Sequence, residues 1–146
     1  MRFMMMVKAT KDSEAGALPK AEEIAKMGAL MEDMAKAGKL IMGEGLTPSS
    51  AGKRISISGG KITKVTDGPF AETKELIGGF AMAEFESWEE CMQWNERFAD
   101  AIGEGEAELR PLFEVTDFPE DILPPEAAAR EQALRDELQR KAAANR

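Results

Sequence analysis

The sequence predicts an α+β fold: an antiparallel sheet with two helices on one face, in the order βαββαβ, with a β-hairpin inserted in the middle. Three observations point there. Apolar runs of strand length alternate with two longer segments whose apolar residues recur at three- and four-residue spacing. A paired glycine, Gly59-Gly60, separates two short segments of β pattern, which is a hairpin signal. The length of 146 residues suits a single domain.

The elements follow in order. Arg2–Ala9 is a strand, because Phe3, Met4, Met5, Met6 and Val7 form the nearly continuous apolar run of a strand buried on both faces. Lys11–Ala17 is polar and contains glycine, so a loop is expected. Pro19 suits the first turn of a helix, whose apolar face is Ile24, Met27, Met31 and Met34. Gly38 supplies the left-handed residue that ends it. LIMGEGL, Leu40–Leu46, is the second strand, and RISIS and KITKVT make the hairpin around Gly59-Gly60. GGFAMAEFE, from Gly78, is the next strand. Ser87-Trp88-Glu89-Glu90 is a capping box that starts the second helix. That helix is expected to bury Trp88, Cys91, Met92, Trp94 or Asn95, and Phe98. GEGE ends it, and AELRPLFEV closes the sheet with Leu109, Pro111, Phe113 and Val115 on one face.

Without the hairpin this is the ferredoxin-like split arrangement. The second sheet face is also apolar, and a second copy packed face to face is the simplest cover for it, so a homodimer is expected. The domain spans residues 1–118. A Pro- and acid-rich connector, TDFPEDILPPE, begins after Val115, and the extension over residues 119–146 continues from it into a helix with only Leu134 and Leu138 as an apolar stripe. That helix is either solvated on its own domain or an arm reaching to a partner subunit.

Composition excludes several classes of function. A net charge of -8 disfavours nucleic acid and anionic membrane surfaces. The apolar run at Met4 is too short for a signal-peptide core, and no stretch approaches the roughly 20 residues that span a bilayer, so a cytoplasmic protein is expected. A lone cysteine, Cys91, leaves no internal disulfide and no CxxC pattern. There is no histidine and no tyrosine. Imidazole nucleophile activation, metal ligation and proton shuttling are therefore unavailable to the chain's own residues. No metal and no cofactor is expected, and no GxGxxG follows a strand.

The densest chemistry lies in VTDGPFAETKELIGGF, Val65–Phe80. Asp-Gly-Pro is a stiff turn, which holds the Asp67 carboxylate in one place. Asp67 either accepts backbone N–H groups of its own turn or serves a ligand or a proton transfer. Glu72 and Lys74 sit between that turn and the paired glycines Gly78-Gly79, where a ligand or a strand can approach the backbone. Glu44, flanked by Gly43 and Gly45, is a charge in an apolar strand that calls for a partner, and Arg110 is the natural guanidinium for it. The candidate ligand-binding residues are therefore Glu44, Asp67, Glu72, Lys74 and Arg110, with Asp67 the candidate catalytic group. Cys91 reads as a small buried hydrophobe, and the methionines as core filler.

The run TDGPFAETKE followed by GGF resembles the signature of the DGPF family within the YCII-related group. RFMMMVKA, SEAGALP, GEGLTPSS, SGGK and ELRPLFE resemble the same pattern in order. The resemblance implies a ferredoxin-like fold of the dimeric α/β-barrel type. It implies a largely uncharacterised family of small proteins, some near genes for extracytoplasmic-function sigma factors. Related proteins are suspected of using a His-Asp pair, of which only Asp67 has a counterpart in this chain.

The expected function is binding of a small anionic or polar ligand in a cleft near the DGPF turn, without an assigned reaction. One alternative is a small-molecule enzyme with Asp67 as general acid or base and Arg110 as anion anchor. Another is a regulatory or interaction dimer linked to sigma-factor-type transcription control.

Overall fold

The computed structural model describes residues 1–71 and 73–145. It divides into two compact units, Met1–Pro111 and Leu112–Arg146. The first holds β1 (Arg2–Lys8), α1 (Lys11–Glu14), α2 (Ala21–Lys36), β2 (Leu40–Gly45), β3 (Lys53–Ser58), β4 (Lys61–Asp67), β5 (Ile77–Glu84), α3 (Trp88–Ile102) and β6 (Ala107–Pro111). The second holds α4 (Pro125–Ala144).

Four strands form one antiparallel sheet in the order β2-β5-β1-β6, and β3 and β4 pair only with each other. The pleat of β1 sorts its apolar run onto two faces. Phe3 and Met5 are buried beside Ala81 and Ala83 of β5, against Leu30 and Met34 of α2 and Cys91 and Phe98 of α3. Phe3 also packs edge-on to Trp88 with ring centroids 4.8 Å apart. Methionine fills this core well because an unbranched thioether adapts to irregular gaps.

Several elements differ from their sequence expectation. The segment expected as a loop after β1 carries a helical turn, because Thr10 and Ser13 cap each other reciprocally. The inward stripe of α2 is Met27, Leu30, Met31 and Met34, and Ile24 is exposed at its start. In α3 the buried residues are Cys91, Asn95, Phe98 and Ala101, whereas Trp88 and Met92 are about half exposed. Pairing of β6 stops at Pro111, so Phe113 does not share a strand face with Leu109 and is 71% exposed.

The second unit has its own local order. Glu114 and Asp117 cap a short 3-10 turn over Val115–Asp117. Phe113 and Phe118 pack with ring centroids 5.1 Å apart and planes tilted by 42°, and Arg135 of α4 reaches Glu114. Every described residue of α4 is exposed or half-buried. Among the described residues, no helix is long and apolar enough to cross a membrane.

Candidate functional site

The DGPF turn is built from three distant segments. Lys53 and Asp67 face each other in register at the base of the β3–β4 hairpin, and the Lys53 Nζ pairs with Asp67 Oδ1. Both side chains are mostly exposed, so the pair contributes about 0–1 kcal/mol. Asp67 thus braces the hairpin base across strands, and among the described residues no backbone N–H of its own turn donates to it. Next, the Gly68 N–H donates to the Gly52 carbonyl at 3.0 Å. A Cβ at Gly68 would lie 1.7 Å from the Ser49 carbonyl oxygen, which only glycine avoids. The Gly68–Pro69 peptide is cis.

Ser49 is the hub beneath the turn. Its backbone N–H donates to Glu14 Oε1 at 2.9 Å and its hydroxyl donates to Glu14 Oε2. The same hydroxyl oxygen accepts the Phe70 N–H at 3.0 Å. A serine has one O–H to give, and here it goes to a carboxylate. The Ser49 oxygen is therefore engaged on both sides of the clasp, donating to Glu14 and accepting from Phe70. Phe70, held by this bond, carries the Arg54 guanidinium 4.0 Å from its ring centroid, a cation–π contact.

Glu14, Ser49 and Arg54 did not stand out individually in the sequence. Two of them lie in SEAGALP and TPSS, stretches with no chemical motif of their own. Their contacts span 35 and 21 residues of chain, which no local pattern encodes.

Glu44 and Arg110 lie on the face of the sheet away from the helices, at opposite edges. One row across that face is Met42, Met82, Met4 and Arg110, and the next is Glu44, Phe80, Met6 and Glu108. With strands about 4.8 Å apart and the two rows about 6.8 Å apart along the strands, the two charged residues sit about 16 Å apart, so they are not partners within one chain. Lys74 is exposed on the 3-10 turn Thr73–Glu75. Glu72 lies outside the described residues.

Protonation shifts mark a different place. Lys39 and Glu90 pair at 2.7 Å where β2 meets α3, with each side chain only about a quarter exposed. The hydrogen bond to Lys39 holds the Glu90 carboxyl below its ordinary range, and the Glu90 bond raises Lys39. Burial pushes the Cys91 thiol up, partly offset by the Asn95 amide, so it stays protonated and unreactive. Among the described residues no cluster of acids and cysteine could hold a metal ion.

The profile of the YCII-related domain matches residues 1–116. The chain belongs to the YCII-related family. An uncharacterised protein of Rhizobium meliloti (strain 1021) is 36% identical over 87 residues, covering 59% of this chain and 69% of that protein. Among solved structures, a 5-chloro-2-hydroxyhydroquinone dehydrochlorinase from Burkholderia phenoliruptrix AC1100, in complex with 2,5-dihydroxybenzoquinone, aligns over 82% of this chain and 100% of that chain. It does so with 18% identity and a TM-score of 0.40. The YCII-related match takes in all three segments of the clasp.

Proposed function

We propose that this YCII-related protein is a homodimeric subunit of ferredoxin-like topology that binds a small anionic or polar ligand beside the DGPF turn, without an assigned reaction. The observation that carries the reading is Arg54, whose guanidinium is seated over the Phe70 ring by the Ser49–Glu14 clasp. A cation held in place loses little side-chain freedom when an anion arrives. The surrounding ribbon adds to its field. Lys53, Arg54, Lys61 and Lys64 stand against Asp67, a net of +3 (four cations less one carboxylate) within a chain of net charge -8. Lys74 follows four positions after Phe70, but Glu72 and Glu75 flank it, so that stretch adds no net positive charge.

The strand order β2-β5-β1-β6 supports the ferredoxin-like topology, with β1, β2, β5 and β6 as its four strands. The open face supports the dimer. Met4, Met6, Met42, Phe80 and Met82 share it, and Glu44 and Arg110 mark its two edges. A two-fold axis along the strands sets the Glu44 edge of one copy over the Arg110 edge of the other, as a self-complementary interface requires.

Calorimetric titration with inorganic phosphate and with oxalate tests the ligand, beside light scattering for the dimer. Binding weakened at least tenfold in Arg54→Ala, with an unchanged dimer, supports the site. Binding unaltered by that substitution rejects it, and a monomer at micromolar concentration rejects the dimer.

A further inference from the structure

A second opening lies between the C-terminal half of α3 and the helix-facing side of β6, a cleft of about 200 Å³. Phe98 and Ile102 of α3 and Leu109 of β6 give it apolar walls, and Glu104 and Glu106 stand at its mouth. Asn95 also lines it and is 92% buried, being 8% exposed. The Asn95 amide is oriented by what its Nδ2 donates to: the Cys91 carbonyl at 2.8 Å and the Met5 sulfur at 3.2 Å. Its Oδ1 accepts no hydrogen bond among the described residues. Yet no polar side-chain atom among the described residues is both fully buried and unpartnered, so Oδ1 is not sealed off, and the opening that Asn95 lines is this cleft.

We infer that this cleft is a binding site for a compact apolar molecule, aromatic or alicyclic, that bears one O–H or N–H donor for Asn95 Oδ1. The chemistry follows from the lining. Apolar walls take a hydrocarbon body, while one fixed acceptor sets its orientation and selects for a donor. An acceptor left unpaired by a donor-free ligand penalises that ligand. The two carboxylates at the mouth disfavour anions, so the ligand is neutral or cationic. The volume suits a single ring, since a cavity of about 150 Å³ admits benzene. This site is independent of the anion site at the DGPF turn, from which it differs in elements, charge and ligand class.

Phenol and benzene are the probes, titrated into ¹⁵N-labelled full-length protein and followed by amide shifts. The expected result is saturable shifts centred on residues 95–109, with phenol bound at least fivefold more tightly than benzene. Asn95→Leu should erase that preference while leaving benzene binding intact, and benzoate should bind more weakly than phenol. Ala99→Phe, which fills the cleft from an exposed helix position, should block both probes and keeps the test valid if Asn95→Leu does not fold. Equal affinities for phenol and benzene, a preference that survives in Asn95→Leu, or shifts that never saturate would each overturn the inference.

Discussion

The central sheet and the β3–β4 hairpin are made of similar residues and meet opposite fates. Phe3, Met5, Ala81 and Ala83 are at most 2% exposed, under two helices. In the hairpin, Ile55, Ile57, Ile62 and Val65 are each more than half exposed, and no residue of β3 or β4 is buried. A continuous apolar run in the one and alternation in the other therefore identify strands but not what covers them. An isolated two-stranded ribbon is marginal in water. The clasp of Glu14, Ser49 and the DGPF turn anchors its base instead.

The comparison breaks first in the core. Phe3→Ala should cost about 3–5 kcal/mol, since the cavity beside Phe85 and Trp88 cannot collapse. Ile57→Ala, by contrast, should stay within about 0.5 kcal/mol in dilute protein, as surface changes do. Chemical denaturation of both variants checks this. A loss at Ile57 that grows with protein concentration would show a second copy seated on the ribbon.

Next in size is the anchor. Gly68→Ala must displace the Ser49 carbonyl and should cost more than about 2 kcal/mol, with amide exchange quickening through β3 and β4 before β1 and β5. An unchanged exchange pattern would mean the clasp does not hold the hairpin. Ser49→Ala removes two side-chain hydrogen bonds and should cost about 1–2 kcal/mol. Asp67→Asn disturbs only the exposed pair with Lys53 and should cost under about 1 kcal/mol. Thermal melts of the two variants side by side would rank them, and the reverse order would make Asp67 the more important group.

The smallest effect is one of pH and belongs to the sheet side. Glu90 has a lowered folded-state pKa, so its contribution is present above the ordinary carboxyl value of 4.5 and fades as pH falls through the shifted value. Lys39 is raised, so its contribution is present below 10.5 and fades as pH rises through its shifted value. The melting-temperature gap between the natural chain and Lys39→Met should therefore be widest between those limits and close on either side. A gap independent of pH would assign the loss to packing instead.

Much of the fold was legible in the sequence, and the candidate site much less so. Gly59 and Gly60, both at positive φ, turn the hairpin where the paired glycine indicated. Ser87 accepts the Glu90 N–H at the start of α3, the serine half of the capping box, while the Glu90 carboxylate takes the Glu86 N–H instead of that of Ser87. These are local rules, each read within a few residues. The choice of Asn95 over Trp94 as the buried residue was not legible, nor was the half-exposure of Trp88, because a helix carries several apolar stripes until a sheet selects one. Nor was the separation of Glu44 from Arg110, since strand order alone fixes which edges are far apart.

By itself the sequence determined the elements, their caps and turns, and the absence of imidazole chemistry, because propensity and composition act within the chain's own neighbourhood. Only the tertiary structure decided that Glu14, Ser49 and Phe70 share one network, and that Arg54 lies over Phe70. Those contacts join residues tens of positions apart, and packing rather than local preference brings them together.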